Sequence, residues 1–299
     1  MSGWDGTPLE LELLDRVAAS LLRDGYEFES PKFKFQMHAV IIRYFFGDEW
    51  FSRHCSLQAV PNFLSPKFGD NEEPDWEYSF NLLTLAEMLF NLQSVPGFAG
   101  CLRKFRGDQI ESTFAEFQVG TVIRQAALDF AYVDPDAEEG RTYDLNISFP
   151  HGPACGEIKC KSQTTAPTPE KVADAIGKAR KQVPSNEAGV VFIKLPPHWV
   201  EVQQTDVETP ARIKIPEEIK AAVRGALEKT TRIKSVVFYI VTKRSDARSG
   251  MGVTTFTSEV SNPKNGPESR WNAPAFGPNP AAEWISIIQL NDRWARHRS

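Results

Sequence analysis

Hydrophobic residues recur with helical spacing through the first hundred residues of the chain. Apolar residues lie three or four positions apart between Leu11 and Leu22, which predicts an amphipathic helix. Residues 37–51 form a second apolar segment that we expect to be buried, and residues 78–93 have the pattern of a strong amphipathic helix. We therefore predict a mostly helical N-terminal region over residues 1–107.

From residue 108 onward the pattern changes to helices that alternate with short strands. Strands separated by helices of this kind indicate an α/β domain, over residues 108–299, with its later strands parallel. A Pro- and Gly-rich turn at 150–154 predicts that the two strands around it form an antiparallel hairpin. The predicted helices are 108–128, 169–183 and 216–230, and the predicted strands are 129–134, 143–149, 155–162, 188–195 and 234–244.

The last forty residues are less regular. Residues 262–281 contain five prolines, which predicts a long loop or arm outside the core. Residues 284–290 are apolar enough for one last strand. A basic tail follows, and its arginines, Arg293 among them, could track a phosphate backbone or only keep the surface charged.

Composition narrows the class of protein. The chain has 299 residues and a formal net charge of −5, so its bulk charge does not indicate a strongly basic nucleic-acid binder. The acidic excess lies in residues 1–110, however, and a local basic patch elsewhere remains compatible with phosphate binding. No segment has the length of a membrane helix and the N-terminus lacks a signal-peptide pattern, so we expect a cytoplasmic protein with no membrane partner.

Neither the cysteines nor the histidines form a recognisable metal or nucleophile motif. Cys55, Cys101, Cys155 and Cys160 include no C-x-x-C pair, and no histidine pair has zinc-ligand spacing. We expect reduced, mostly buried thiols.

The stretch CGEIKCKS contains the first candidate chemistry. Alternate residues of a strand point to the same face, so Glu157 and Lys159 project together and Ile158 projects the other way. A solvated surface ion pair and a metal-dependent active site both explain this pattern.

Further carboxylates favour the active site. Asp144 lies on the polar face of strand 143–149, and carboxylates on neighbouring strands can converge on Mg²⁺, which prefers oxygen ligands. Lys159 would then stand beside the ion, where an ammonium can position water and stabilise charge on a phosphate. Glu116 on the preceding helix could bind through water or hold a second metal, and Glu111 on another face is the alternative.

The order of these residues resembles the PD-(D/E)XK nuclease superfamily, the restriction-endonuclease-like fold, over about residues 110–242. Asp144 on the second strand, Glu157-Ile158-Lys159 on the third and Glu116 on the helix before them match its motif, although Tyr143 stands where its short form has proline. The resemblance implies a mixed central sheet flanked by helices. It also implies hydrolysis of nucleic-acid phosphodiester bonds with Mg²⁺ or Mn²⁺, with DNA ahead of RNA.

Three further residues come in as supporting groups. By the same resemblance Gln182, on the helix after the E-x-K strand, is expected to support the site, and Lys181 beside it is a basic candidate on a helix face that could equally be solvated. Lys161 would share the face of Lys159 in a regular strand, which makes it a candidate phosphate contact.

Other classes of function stay open on the sequence alone. One is a catalytically inactive nuclease fold that acts as a binding or scaffold module. Another is a protein–protein role centred on the N-terminal half, such as a component of a defence or toxin system, and a third is an unrelated α/β enzyme whose E-x-K is incidental. A homodimer and a protein partner bound through the N-terminal region are both compatible with the sequence.

Overall fold

The structure is a computed structural model, and our description is confined to part of the chain. The described residues are 4–28, 30–56, 63–65, 76–107, 109–133, 143–159, 168–196, 201–203, 212–246, 250–272, 275–277, 279, 281–286, 289–290 and 293–294. Among the predicted site residues, only Lys161 lies outside these ranges.

Helices dominate the described residues of the first half, as predicted. Five precede the long helix that leads into the sheet, and two more follow the hairpin. Their bounds are α1 (Leu11–Arg23), α2 (Pro31–Phe46), α3 (Asp48–Cys55), α4 (Trp76–Leu92), α5 (Phe98–Arg106), α6 (Ile110–Gln125), α7 (Pro169–Gln182) and α8 (Glu217–Leu227).

The strands form a six-stranded mixed sheet and a separate two-stranded ribbon. Their bounds are β1 (Asp129–Tyr132), β2 (Leu145–Phe149), β3 (Gly152–Lys159), β4 (Gly189–Lys194), β5 (Glu201–Gln203), β6 (Arg212–Lys214), β7 (Ile233–Asp246) and β8 (Gly250–Ser261). The large sheet has the order β1-β2-β3-β4-β7-β8, and β5 pairs with β6. The pairs β3–β4 and β4–β7 are parallel, and the other pairs of the large sheet are antiparallel. The α/β class, the hairpin and the parallel later strands are therefore confirmed.

Buried side chains form two clusters, one on each face of the large sheet. The first lies between the sheet and helices α1 to α6, and the second lies under α7 and α8. Residues of β3 alternate between them: Ile158 belongs to the first cluster and Cys155 to the second. The first cluster also contains Leu14 of α1, so the N-terminal helices share a core with the sheet.

Two local predictions need correction near the sheet. The turn of the hairpin is shorter than 150–154, because Phe149 already pairs with Gly152 and leaves only two residues between the strands. Strand β8, which pairs antiparallel with β7, was not predicted. Its side chains from Thr255 to Ser261 are half-buried, as befits an edge strand, and it lacks the apolar run that marks a central strand.

The C-terminal segment also differs from the predictions. The predicted strand at 284–290 is wrong for the residues that are described there, none of which is in a strand. Leu290 instead packs in the first core cluster. The Pro-rich segment 262–281 contributes to the core, because the ring of Phe276 is buried against Phe149 and Phe192. The free energy gained by burying its aromatic ring holds Phe276 in the core although it belongs to a Pro-rich segment.

The tail is anchored to the first helix. Trp294 is fully buried, and the guanidinium of Arg293 donates to both carboxylate oxygens of Asp15 at 2.6 to 3.0 Å. Arg293 thus binds α1 in this structure, which is neither of the two roles that the sequence left open for it.

Two other expectations concern membranes and thiols. Within the described ranges, none of the helices combines the length and the apolar character that crossing a bilayer requires. Cys55, Cys101 and Cys155 are buried, reduced thiols, as predicted, and Cys160 lies outside the described residues.

Candidate active site

Strand β3 runs past the end of its neighbour β2, and the E-x-K motif lies in this overhang. The last β2–β3 pair joins Leu145 to Gly156. In the described part of the chain, the next three residues of β3, which are Glu157, Ile158 and Lys159, pair with β4 on the other side and not with β2. The regular pairing of β2 with β3 therefore ends where the motif begins, just after the backbone N–H of Asp144 donates to the carbonyl of Gly156 at 3.1 Å.

The side chain of Asp144 reaches across to β3 at this point. Its carboxylate Oδ2 accepts a hydrogen bond from the backbone N–H of Ile158 at 2.7 Å. Ile158 is buried, and among the described residues the carboxylate of Asp144 is the acceptor that satisfies its N–H where the pairing with β2 has ended. The hydrogen bond places Asp144 beside the residue between Glu157 and Lys159.

Glu157 and Lys159 form an ion pair in which the glutamate is buried and the lysine is partly buried. Lys159 Nζ lies 2.5 Å from Glu157 Oε1, and the side chains are only 3% (Glu157) and 21% (Lys159) exposed. The same ammonium donates to Gln182 Oε1 at 2.7 Å, so the sequence-predicted supporting residue does meet the lysine. A solvated surface pair is therefore not the explanation of E-x-K.

Helix α7 is placed to bring Gln182 to this pair. Thr168 caps the helix, since its hydroxyl oxygen accepts from the backbone N–H of Lys171, and Pro169 occupies the first turn, where its missing N–H is no loss. The buried stripe of α7, which includes Ile176 and Ala179, packs in the second core cluster. Gln182 in the last turn of α7 then reaches the lysine of the motif on β3.

Glu116 belongs to a second group of charged residues, on α5 and α6. Glu116 is only 3% exposed, and its Oε2 lies 3.3 Å from Lys104 Nζ. The thiol of Cys101 donates to the same oxygen, with 3.7 Å between sulfur and oxygen. Helix α6 thus buries a carboxylate where the ammonium of Lys104 balances its charge and the thiol of Cys101 donates a hydrogen bond to it.

Asp144 acts electrostatically on this second group. Burial lowers the pKa of Lys104, but the negative charges of Glu116 and Asp144 outweigh that effect and hold it above the ordinary value of 10.5. Burial, together with the charges of Glu116 and Asp144, raises the pKa of the Cys101 thiol well above its usual range. Asp144 therefore hydrogen-bonds within the E-x-K segment, and its negative charge adds to that of Glu116 in raising the pKa of Lys104.

Lys194 is a further buried cation at the carboxyl end of β4. Its residue is 4% exposed, and its ammonium stands 5.8 Å from the centre of the Phe114 ring. Burial lowers its pKa to about 7, although the charge of Glu111 opposes the shift. Glu111, the alternative to Glu116, thus lies near Lys194.

The donor chemistry fits Mg²⁺ in part. Asp144 and Glu157 supply carboxylate oxygens, and Mg²⁺ is commonly held by one or two carboxylates, with waters and substrate phosphates as its other ligands. Within the described part of the chain, however, no three Asp, Glu, His or Cys side chains form a group that could hold a metal ion. Asp144 and Glu157 are thus the two carboxylates available for an ion, and with Glu116 they do not form a three-carboxylate set.

Two predicted supporting residues, Lys181 and Lys161, make no described contact with Glu157, Lys159 or Asp144. Lys181 is exposed on α7, beside Gln182 in sequence. Lys161 lies outside the described residues.

Sequence reasoning missed Lys104 and Lys194. Lys194 had a signal, because a lysine that ends a wholly apolar strand is costly to bury. Lys104 had none, since its partner lies on a different helix and the contact depends on how α5 packs against α6.

No protein family model, curated protein or solved structure matches this chain. The likeness to the PD-(D/E)XK superfamily therefore rests on the order of the elements and on Asp144, Glu157 and Lys159 themselves. The coarse architecture, a mixed sheet flanked by helices, is observed directly.

Proposed function

We propose that this protein is a Mg²⁺-dependent nuclease that hydrolyses phosphodiester bonds of nucleic acid, with DNA ahead of RNA. One observation carries the proposal: a buried Glu157–Lys159 pair lies in a strand overhang that also holds the carboxylate of Asp144. Burying charges is costly, and such arrangements cluster at functional sites. The restriction-endonuclease-like fold is part of the same proposal.

Each residue has a role that follows from its surroundings. Asp144 and Glu157 would hold the metal ion, and Mn²⁺ would serve in place of Mg²⁺. When bound, the ion would polarise a phosphoryl oxygen and lower the pKa of a coordinated water. Lys159, fixed by Glu157 and Gln182, would orient the attacking water and stabilise the negative charge that grows on the phosphate.

Gln182 is a positioning residue in this scheme. It holds the ammonium of Lys159 at 2.7 Å and need not touch the substrate. Lys181 and Lys161 would contact substrate phosphates, a role that electrostatics allows for any lysine near the site.

A cleavage assay tests the proposal. Purified protein is incubated with single- and double-stranded DNA and RNA, with Mg²⁺, with Mn²⁺ and with chelator. We expect metal-dependent cleavage that falls by about a hundredfold or more in Glu157→Gln and Lys159→Ala, the scale of a lost acid–base or electrostatic group. Glu218→Gln and Lys171→Ala, at exposed residues of α8 and α7, are the matched controls and should cleave as the unchanged protein does.

The outcome can refute the proposal cleanly. Folded protein that cleaves none of the four substrates with either metal would end the enzyme hypothesis. Cleavage that survives in Glu157→Gln would place the active site elsewhere. Each variant is compared only after its unfolding transition shows that it retains the cooperative fold, because Glu157 is buried.

A catalytically inactive nuclease fold that binds or scaffolds is the second candidate. The specific observation in its favour is that Glu116 is engaged by Lys104 and does not complete a ligand set with the other carboxylates. Fluorescence anisotropy with labelled DNA and RNA would identify this case as binding without cleavage in both Mg²⁺ and chelator.

A further inference from the structure

Strands β7 and β8 continue well beyond their neighbour in the large sheet. The last pair between β4 and β7 joins Lys194 to Tyr239. From there β7 pairs with β8 for seven residues more, to the end of the strand. The next two residues of β7 are still buried, so the part beyond the core comprises residues 242–246 and 250–254. We call these two strand ends the β7–β8 arm.

The β7–β8 arm starts from the edge of the sheet at which the E-x-K motif ends. Strands β3, β4 and β7 are parallel, so their carboxyl ends lie at one edge. The register places Lys159 level with Phe238, because both pair with Ile193. Lys243 lies five residues further along and two strands across, which puts its backbone roughly 20 Å from that of Lys159 at ordinary strand spacings. The arm and the motif therefore share one edge of the sheet.

The arm is positively charged, in contrast to the chain as a whole. Residues 242–254 contain the basic residues Lys243, Arg244 and Arg248 and one acidic residue, Asp246, whereas the whole chain has a net charge of −5. Arg248 lies between the two strands, outside the described residues. Lys243 and Arg244 belong to β7 itself, so the topology of the sheet places two positive charges beyond the edge that carries the motif.

The ribbon gains little stability from its own residues. The described residues of the arm include two large apolar ones, Met251 and Val253, and a two-stranded hairpin with nothing packed on it is at best marginally stable in water. Basic residues on exposed strand edges hinder aggregation, so the charge has two explanations, which are solubility and a partner of opposite charge. The location of the arm at the edge of the proposed active site favours the partner.

We propose that the β7–β8 arm binds duplex DNA, with the positive charges of Lys243 and Arg244 directed to the phosphate backbone. This inference rests on the proposed function and identifies its substrate as double-stranded DNA. The major groove of B-form DNA is about 12 Å wide and admits a two-stranded ribbon, whereas that of duplex RNA is deep and narrow. Roughly 20 Å corresponds to about six base pairs at about 3.4 Å each, so one duplex can reach both the arm and the motif. Lys243 and Arg244 are binding residues, not catalytic ones.

Fluorescence anisotropy in chelator measures this binding without cleavage. We expect Lys243→Ala/Arg244→Ala to bind a labelled DNA duplex about tenfold more weakly than the unchanged protein at low salt. The slope of log affinity against log salt concentration should become shallower by about 1.8, the value for two lost phosphate contacts. Lys243→Arg/Arg244→Lys keeps both charges and should retain the affinity and the slope.

The matched control is Arg224→Ala/Lys229→Ala. It removes the same two types of charge from exposed residues at the end of α8, which precedes β7 and lies toward the opposite edge of the sheet. Its affinity for the duplex and its salt dependence should match those of the unchanged protein. Lys243→Gln/Arg244→Gln keeps long polar side chains in the strand and provides the same measurement if the alanine variant has a lower melting temperature.

The outcomes separate this inference from the proposed function. Unchanged affinity and slope in the arm variants would overturn the inference and leave the nuclease proposal intact, as would an equal loss in the control. Equal, arm-dependent binding of duplex RNA would overturn the choice of DNA. If the unchanged protein binds no duplex DNA, the inference fails, although metal-dependent cleavage of single strands would still uphold the nuclease. Arm-dependent binding of duplex DNA without any cleavage would support the arm and favour the inactive nuclease fold.

Discussion

Burial of Lys194 should make the protein less stable at neutral pH than a variant without this charge. Lys194 is 4% exposed at the end of β4, and its pKa falls from the ordinary 10.5 to about 7. The unfolded chain therefore binds more protons than the folded one between pH 7 and pH 10.5. It follows that the stability lost through Lys194 is greatest below pH 7 and returns as the pH rises toward 10.5.

The magnitude follows from the two pKa values of Lys194. Each pKa unit is worth about 1.4 kcal/mol, so the full penalty below pH 7 is about 5 kcal/mol. At pH 9.5, where most folded molecules carry a neutral amine, linkage leaves a penalty of about 1 kcal/mol. Lys194→Met keeps a similar side-chain volume and removes the charge.

Urea unfolding at pH 6.5 and pH 9.5 measures the effect. The gain in unfolding free energy of Lys194→Met over the unchanged protein should be about 3 kcal/mol larger at pH 6.5 than at pH 9.5. A gain from better apolar packing would not depend on pH, so the difference between the two pH values isolates the charge. Lys171→Met, at an exposed lysine, is the control and should show no such difference.

Equal gains at the two pH values would refute this reasoning. Lys194 would then be charged in the folded protein at both, and its burial would not be what sets its pKa. The expected result would instead mark Lys194 as a costly residue, and costly buried charges are retained most often where they serve a function.

Three further predictions follow from the fold. Asp144→Ala should lower the unfolding free energy by about 1–3 kcal/mol, because the buried N–H of Ile158 loses its acceptor. Asp144→Asn keeps an acceptor oxygen and should lower it much less. Equal losses in the two variants would mean that this hydrogen bond does not stabilise the fold. Burial, and to a lesser extent the charge of Lys34, lowers the pKa of His38 to about 3. In denaturant titrations, lowering the pH from 6.5 to 4.5 should therefore reduce the unfolding free energy of the unchanged protein by about 2 kcal/mol more than that of His38→Gln. Gly97→Ala should lower the melting temperature, because its Cβ would lie 2.1 Å from a backbone carbonyl oxygen of β1 at a residue with φ of +80°, whereas Gly177→Ala in open helical space should raise it slightly.

The site shows how far strand periodicity alone can reach. The i, i+2 spacing of Glu157 and Lys159 correctly placed them on one face, and the polar face predicted for residues 143–149 alternates with the buried Leu145, Ile147 and Phe149. Neither pattern could say whether the polar face is covered. That depends on α7, which packs over this face and brings Gln182 to the lysine.

Glu116 shows what the pattern of a helix could not predict. Glu116 lies on the predicted helix 108–128, and the corresponding α6 is buried over most of its length. The partner of the carboxylate was not predictable, because Lys104 and Cys101 lie on α5 and meet Glu116 only through the angle at which the two helices pack.

The elements that prediction missed are those that depend on a neighbour. Strand β8 is a half-buried edge strand whose pairing with β7 supplies the order that its own sequence does not announce. Phe276 lies in a Pro-rich segment, yet it is buried because Phe149 and Phe192 offer it an apolar surface.

The sequence by itself determined the α/β class, the hairpin, the parallel later strands and the shared face of Glu157 and Lys159, since these follow from local periodicity and turn chemistry. Only the tertiary structure decided that this face is buried, that Asp144 caps the open end of the β2–β3 ladder, and that Lys104 holds Glu116. Burial and charge pairing join residues that are distant in the chain, and free energies of that kind depend on the packed arrangement and not on sequence spacing.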